Sequence, residues 1–284
     1  MGKIASFVFF TLIFIGVLVG LPFFQSMFFD SNTLRIESPL PEFLTKIFPN
    51  VLGGSTFWKP NNEVFTSGEK VPEITATAAV AYDLTTNKLL YQKNPKKRLP
   101  VASLTKIMAA VVALENRNAR DELVVSREAA SIGENSMGLS EGEVYTLEDL
   151  IYGLILHSGN DAAETIASES RFGRENFIYL MNKQAEDFGL SDTHFTNPSG
   201  LEGDGEQYST AYDLLVMTRY ALENPTFAKV VSTVEYEIPY TTEHKYLYLF
   251  NETNLLTSYP GVKGVKTGYT PEAGLCLVTY LEHD

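Results

Sequence analysis

The stretch Pro100-Val-Ala-Ser-Leu-Thr-Lys-Ile-Met-Ala-Ala-Val-Val-Ala-Leu114 decides how the rest of the chain is read. It places Ser103 and Lys106 three residues apart at the front of an apolar helix, with Ile107, Ala110, Val111 and Leu114 at helical spacing. Residues at i and i+3 share a helix face, so the lysine amine can lie beside the serine hydroxyl. A serine is a weak nucleophile near neutral pH unless an adjacent base takes its proton. A lysine can be that base if burial or a nearby positive charge lowers its pKa. Taken alone, the spacing equally describes a capping serine followed by a solvated lysine.

On the N-terminal side, residues 4–24 are uncharged and almost wholly apolar. About 20 such residues span a bilayer. Lys3 precedes them and Asp30 follows, which favours the start inside and the remainder outside. A cleaved signal peptide is the competing reading. Its apolar core is usually shorter and ends in a small-x-small site, which Leu21-Pro-Phe-Phe-Gln-Ser-Met-Phe-Phe29 lacks. An uncleaved transmembrane signal-anchor over residues 1–29 is therefore expected. Residues 30–70 carry Pro39, Pro41, Pro49, Pro60 and the Gly53-Gly54 pair, and read as a linker. Its Phe57 and Trp58 leave open whether it lies on a membrane surface or packs on the main domain, residues 71–284.

The composition is that of a globular protein, 44% hydrophobic and 12% aromatic. A net charge of −13 weighs against a nucleic-acid partner. The single cysteine, Cys276, permits no internal disulfide, and its apolar setting reads as a buried small residue.

Strand patterns occupy the ends of the main domain: residues 76–82 and 89–91 at the front, 233–248 and the hairpin 262–280 at the back. Helical patterns fill the middle. Thr146 to Asp149 resembles a capping box, Asp161 caps a helix from Ala162, and Ser209-Thr210 caps another to about Glu223. Strands distant in sequence need partners, so an α+β fold is expected: one antiparallel sheet built from N- and C-terminal strands, flanked by helices, with an inserted helical lobe.

Two further motifs follow Ser103-Leu-Thr-Lys106 in order: Ser158-Gly-Asn160 and Lys266-Thr-Gly268. Alone, the second is an ordinary helix stop and cap, and the third an ordinary strand segment. Together they resemble the set found in serine β-lactamases and penicillin-binding proteins, with Gly159 where that set has Asp. With Asn197-Pro-Ser-Gly-Leu201, Tyr208-Ser-Thr-Ala211 and Gly264-Val-Lys-Thr-Gly-Tyr-Thr270, the chain from about residue 74 to 283 resembles the D-alanyl-D-alanine carboxypeptidases, low-molecular-mass penicillin-binding proteins of peptidase family S11.

The resemblance implies a β-lactamase/transpeptidase-like fold and a bacterial cell-membrane location with the catalytic domain extracytoplasmic. It implies a serine hydrolase acting on peptidoglycan stem peptides and acylated by β-lactams, with no cofactor and no metal. It makes Ser103 the nucleophile, Lys106 its base and Ser158 a proton relay. Asn160, Lys266, Thr267, Gly268 and Tyr269 become substrate-binding, with the Ser103 and Tyr269 amides as oxyanion hole and Gly268 kept small to clear the substrate. Asn197-Pro-Ser-Gly is read as a plain turn. The family continues past the hairpin with another strand and a helix, so a sheet lacking that strand is expected. The alternatives are a DD-endopeptidase, a β-lactamase, or a non-catalytic wall-binding protein. No class A deacylating glutamate can be matched; Glu202 and Glu206 lie in loops outside any motif.

Overall fold

The computed structural model describes residues 57–61 and 71–282. The expected membrane anchor and most of the linker lie outside these residues. Among the described residues no helix is long and apolar enough to cross a membrane.

The chain opens with a hairpin, β1 (Ala79–Asp83) and β2 (Lys88–Lys93). A 3-10 turn, Ala102–Leu104, then leads into α1 (Thr105–Asn116). Residues 105–113 of α1 are buried all round, as expected of a helix that runs through a core. Around it pack α3 (Leu147–Leu156), α4 (Asn160–Ser168), α5 (Gly173–Asp187) and α6 (Ala211–Leu222). Between α1 and α3 run β3 (Glu122–Val124), the short α2 (Arg127–Ala130) and β4 (Val144–Thr146). After α6 come α7 (Pro225–Val231), the hairpin β5 (Glu235–Ile238) and β6 (Leu247–Phe250), the turn-length α8 (Leu255–Ser258), and the hairpin β7 (Val262–Thr270) and β8 (Gly274–Leu281).

Mixed helix and strand is as expected, but the single sheet is not what forms among the described residues. The strands make four separate two-stranded antiparallel ladders: β1–β2, β3–β4, β5–β6 and β7–β8. Each strand finds its partner locally, except that β3 reaches across the serine-capped α2 to β4. The terminal hairpins are instead joined through a helix, since β1 and β8 both pack on α6.

Capping chemistry sets most helix starts. The Thr146 hydroxyl accepts from the Asp149 amide (3.1 Å), and Thr210 accepts from Asp213 (3.0 Å). Asn224 caps α7 through the Thr226 amide (2.9 Å), a helix that sequence reading passed over although Asn-Pro is a start signal. Asp161 does not cap α4; Gly159 stands at that position. The Asp161 side chain is fully buried and accepts from the amides of Met137 (3.0 Å), Gly138 (3.0 Å) and Leu139 (2.9 Å) and from the Ser136 hydroxyl (2.6 Å). One carboxylate thus fixes the glycine-rich loop beside α4. Phe57 stacks on Phe188 at 4.2 Å and Trp58 meets Tyr82 edge-on at 5.5 Å, so this part of the linker packs on the core.

Candidate active site

Ser103 sits in the 3-10 turn and Lys106 in the first turn of α1, so one continuous segment sets their spacing. Lys106 Nζ lies 3.0 Å from Ser103 Oγ. It also lies 2.7 Å from Asn160 Oδ1 and 2.6 Å from the Ser199 carbonyl oxygen. Burial holds Lys106 well below the ordinary lysine range, and the nearby Lys266 charge lowers it further; Glu252, Asp161 and Glu134 oppose this more weakly.

The three contacts can be met by a charged ammonium or by a neutral amine; the neutral form, which burial and Lys266 favour, has two N–H donors and one lone pair. A carboxamide oxygen and a backbone carbonyl can only accept, so they take the two N–H groups. The lone pair is left for the Ser103 hydroxyl. The arrangement can draw a proton from serine without first losing one to solvent.

Asn160 is itself fixed. Its amide donates to the Asn135 carbonyl (2.7 Å) and its Nδ2 to the Gly133 carbonyl (3.3 Å). Its carboxamide oxygen accepts from Lys106, so Asn160 holds the lysine while it also lines the cavity described below. Ser158, between α3 and α4, is buried with φ of 56°, a left-handed conformation that costs a non-glycine residue about 1–3 kcal/mol and clusters at functional sites. Ala102, just before Ser103, is also left-handed, with φ of 47°.

Sequence reading took Asn197-Pro-Ser-Gly200 as a plain turn, and the structure gives it more to do. Asn197 Oδ1 accepts from the Gly200 amide (2.7 Å), closing the turn. The closed turn presents the Ser199 carbonyl to Lys106. It also presses Gly200 (φ +88°) onto the serine turn, where an added Cβ would stand 2.0 Å from the Ala102 carbonyl oxygen. Gly268 is crowded in the same way: a Cβ there would meet the Ser103 amide nitrogen at 3.0 Å. A side chain at 268 would thus press on the serine turn as well as on whatever lies on the strand.

A cavity of about 410 Å³ opens here, and Ser103, Ser158, Asn160, Thr267, Gly268 and Tyr269 all line it. Lys106 and Lys266 are fully buried rather than on its wall, and Lys266 Nζ turns onto the Thr267 carbonyl (3.0 Å). Burial brings Lys266 down to about 8. Two carboxylates not anticipated from sequence, Glu134 and Glu252, also face the cavity. Neither belongs to a motif, so only topology could reveal them. Glu202 does not line it; Thr270 and the Glu272 amide (2.9 Å) hold its carboxyl low. Cys276 is only half-buried, opposite Gly268 on β8, and contributes to the cavity wall. Strand alternation places it there, where a fully buried residue was expected.

Residues 65–283 match the family model described as D-alanyl-D-alanine carboxypeptidase. The chain is 38% identical over 217 residues to the D-alanyl-D-alanine carboxypeptidase DacF of Bacillus subtilis, covering 74% of this chain but 55% of that one. It is 35% identical to DacB2 of Mycobacterium tuberculosis, covering 72% and 69%. Among solved structures, the Streptomyces K15 DD-transpeptidase superposes with a TM-score of 0.71 at 34% identity, over 76% of this chain and 88% of that one. The chain thus spans about half the length of the Bacillus relative.

The crowding at Gly200 generates a test. Gly200→Ala must displace either the Ala102–Ser103 backbone or the Ser199 carbonyl. Because a displacement of about 1 Å can cost on the order of 100-fold, acylation of Ser103 by a serine-directed reagent should slow by roughly that factor. Stopped-flow measurement of Ser103 labelling checks this; wild-type reactivity in the variant would contradict the bracing role.

Proposed function

Since the chain belongs to the D-alanyl-D-alanine carboxypeptidase family, Peptidase_S11, we propose that it is a serine-type D-Ala-D-Ala carboxypeptidase that removes the terminal D-alanine from peptidoglycan stem pentapeptides. The contact of Ser103 Oγ with the buried Lys106 amine at 3.0 Å carries the reading.

In this reaction Ser103 Oγ attacks the carbonyl carbon of the penultimate D-alanine, and its proton passes to the Lys106 lone pair. The developing oxyanion is received by the amides of Ser103 and Tyr269; the close approach of Gly268, next to Tyr269, to the serine turn supports this. The proton travels through Ser158 to the leaving amine, D-alanine departs, and the peptide remains as an ester on Ser103. Water, deprotonated by Lys106, then cleaves the ester and frees the shortened peptide. Thr267 receives the terminal carboxylate, drawn by the Lys266 charge behind it. β-Lactams acylate Ser103 by the same attack, but the opened ring has no fragment to release. The apolar segment at residues 4–24 supports an N-terminal membrane anchor, with the catalytic domain outside the bacterial cell membrane.

Fluorescent penicillin should label the wild type covalently and leave Ser103→Ala unlabelled; an unlabelled wild type overturns the acyl-enzyme reading. Mass spectrometry of a pentapeptide mixture should show loss of one D-alanine. Cleavage of cross-linked dimers alone would indicate an endopeptidase, and penicillin turnover without trimming a β-lactamase.

The two lysines also set a pH profile. The kcat/KM for pentapeptide should rise with pH as Lys106 loses its proton and fall as pH passes about 8, where Lys266 loses its charge. Lys266→Arg keeps that charge and should remove the fall. A wild-type profile flat from pH 7 to 9.5 would contradict the role given to Lys266.

A further inference from the structure

The β5–β6 hairpin carries a face that the reaction above does not use. Along β6 the odd-numbered residues turn inward: Leu249 and, beyond the strand, Asn251 and Thr253 are buried. The even-numbered residues turn outward, with Tyr246, Tyr248 and Phe250 exposed by 50%, 49% and 49%. The alternation does not stop at the strand end. The Asn251 amide still pairs with the Val234 carbonyl (2.8 Å), and the next even residue, Glu252, faces the catalytic cavity. The aromatic row thus leads, two residues past the strand end, to a residue on the cavity wall. On the neighbouring strand Glu235 lies opposite Phe250 and Glu237 opposite Tyr248, and both carboxylates are exposed. The Tyr248 hydroxyl donates to Glu235, which fixes that ring across the ladder. The inner side is anchored by Tyr236 stacked on Tyr152 at 3.6 Å.

We propose that this face is a binding platform for the neutral amino-sugar strand from which the stem peptide hangs. The inference rests on the peptidoglycan reading given above and extends it from the peptide to the glycan. Three aromatic side chains in a row offer flat apolar surface with a polar edge, which suits the C–H faces of pyranose rings. Glu235 and Glu237 accept hydrogen bonds from sugar hydroxyls. The same carboxylates disfavour a nucleic acid or an anionic lipid surface.

Adjacency supports the choice of occupant. A peptide that leaves the cavity past Glu252 runs toward Phe250, Tyr248 and Tyr246, so the sugar from which it hangs lies on the side of the aromatic row.

The test compares the full chain in detergent with a Tyr246→Ala/Tyr248→Ala double variant. Wild type should trim a disaccharide-linked pentapeptide with a kcat/KM about tenfold above that of the free pentapeptide. The double variant should lose this preference while its rate on free pentapeptide stays within about twofold, which also shows that it is folded. Equal rates on both substrates in wild type overturn the proposal. So does an equal loss on both in the variant, which would assign the face to the peptide. A second arm needs no hydrolysis: wild type and Ser103→Ala should sediment with an insoluble, neutral polymer of N-acetylated amino sugar, and the double variant should not. Failure of wild type to sediment overturns the platform. Sedimentation without any trimming by wild type keeps the platform and overturns the carboxypeptidase reading instead.

Discussion

The structure depends on keeping one lysine amine dry, uncharged and aimed at one hydroxyl. Lys106 has no exposed surface, and burying a charged ammonium without a carboxylate partner is costly, which pushes the group toward its neutral form. The neighbouring Lys266 pushes the same way. Once neutral, the amine has as many hydrogen-bonding functions as it has contacts: Asn160, Ser199 and Ser103. Any rearrangement would leave a buried polar atom unmatched, at a cost of about 1–3 kcal/mol. The catalytic contact is thereby also the stable one.

That requirement explains how distant segments are recruited. Asn160 comes from the junction of α3 and α4, the Ser199 carbonyl from a turn closed by Asn197, and the steric backing of the serine turn from Gly200 and Gly268. Asp161, next to Asn160, fastens the loop whose Asn135 carbonyl holds the Asn160 amide. The helices around α1 seal the lysine from water, while β7, packed on the serine turn, forms the open wall of the cavity.

Much of this was legible in the sequence, for physical reasons. The three motifs sit where the backbone is locally determined: a helix start, a helix junction and a strand. Their order along the chain carried the family resemblance that singled out Ser103, Ser158 and Thr267, which line one cavity, and the buried pair behind them. Capping rules found the helices at Thr146 and Thr210 because the signal lies within four residues. What escaped was set by tertiary contact. Asn197-Pro-Ser-Gly200 is indistinguishable from any other turn until Ala102 is seen pressed against Gly200. Glu134 and Glu252 reach the cavity only through the fold. Asp161 looked like a cap because it follows Ser158-Gly-Asn160, yet the buried amides of residues 137–139 claim its carboxylate. The expected single sheet does not form among the described residues, whose strands pair in four two-stranded ladders.

The most direct test of the central claim is the protonation state of Lys106. With lysine labelled at Cε and Nζ, an NMR titration compared with Lys106→Arg to assign the signal should show Lys106 uncharged at pH 7. It should titrate well below the exposed lysines, with Lys266 between them at about 8. A Lys106 signal that stays charged through pH 7 and moves with the exposed lysines would contradict the account.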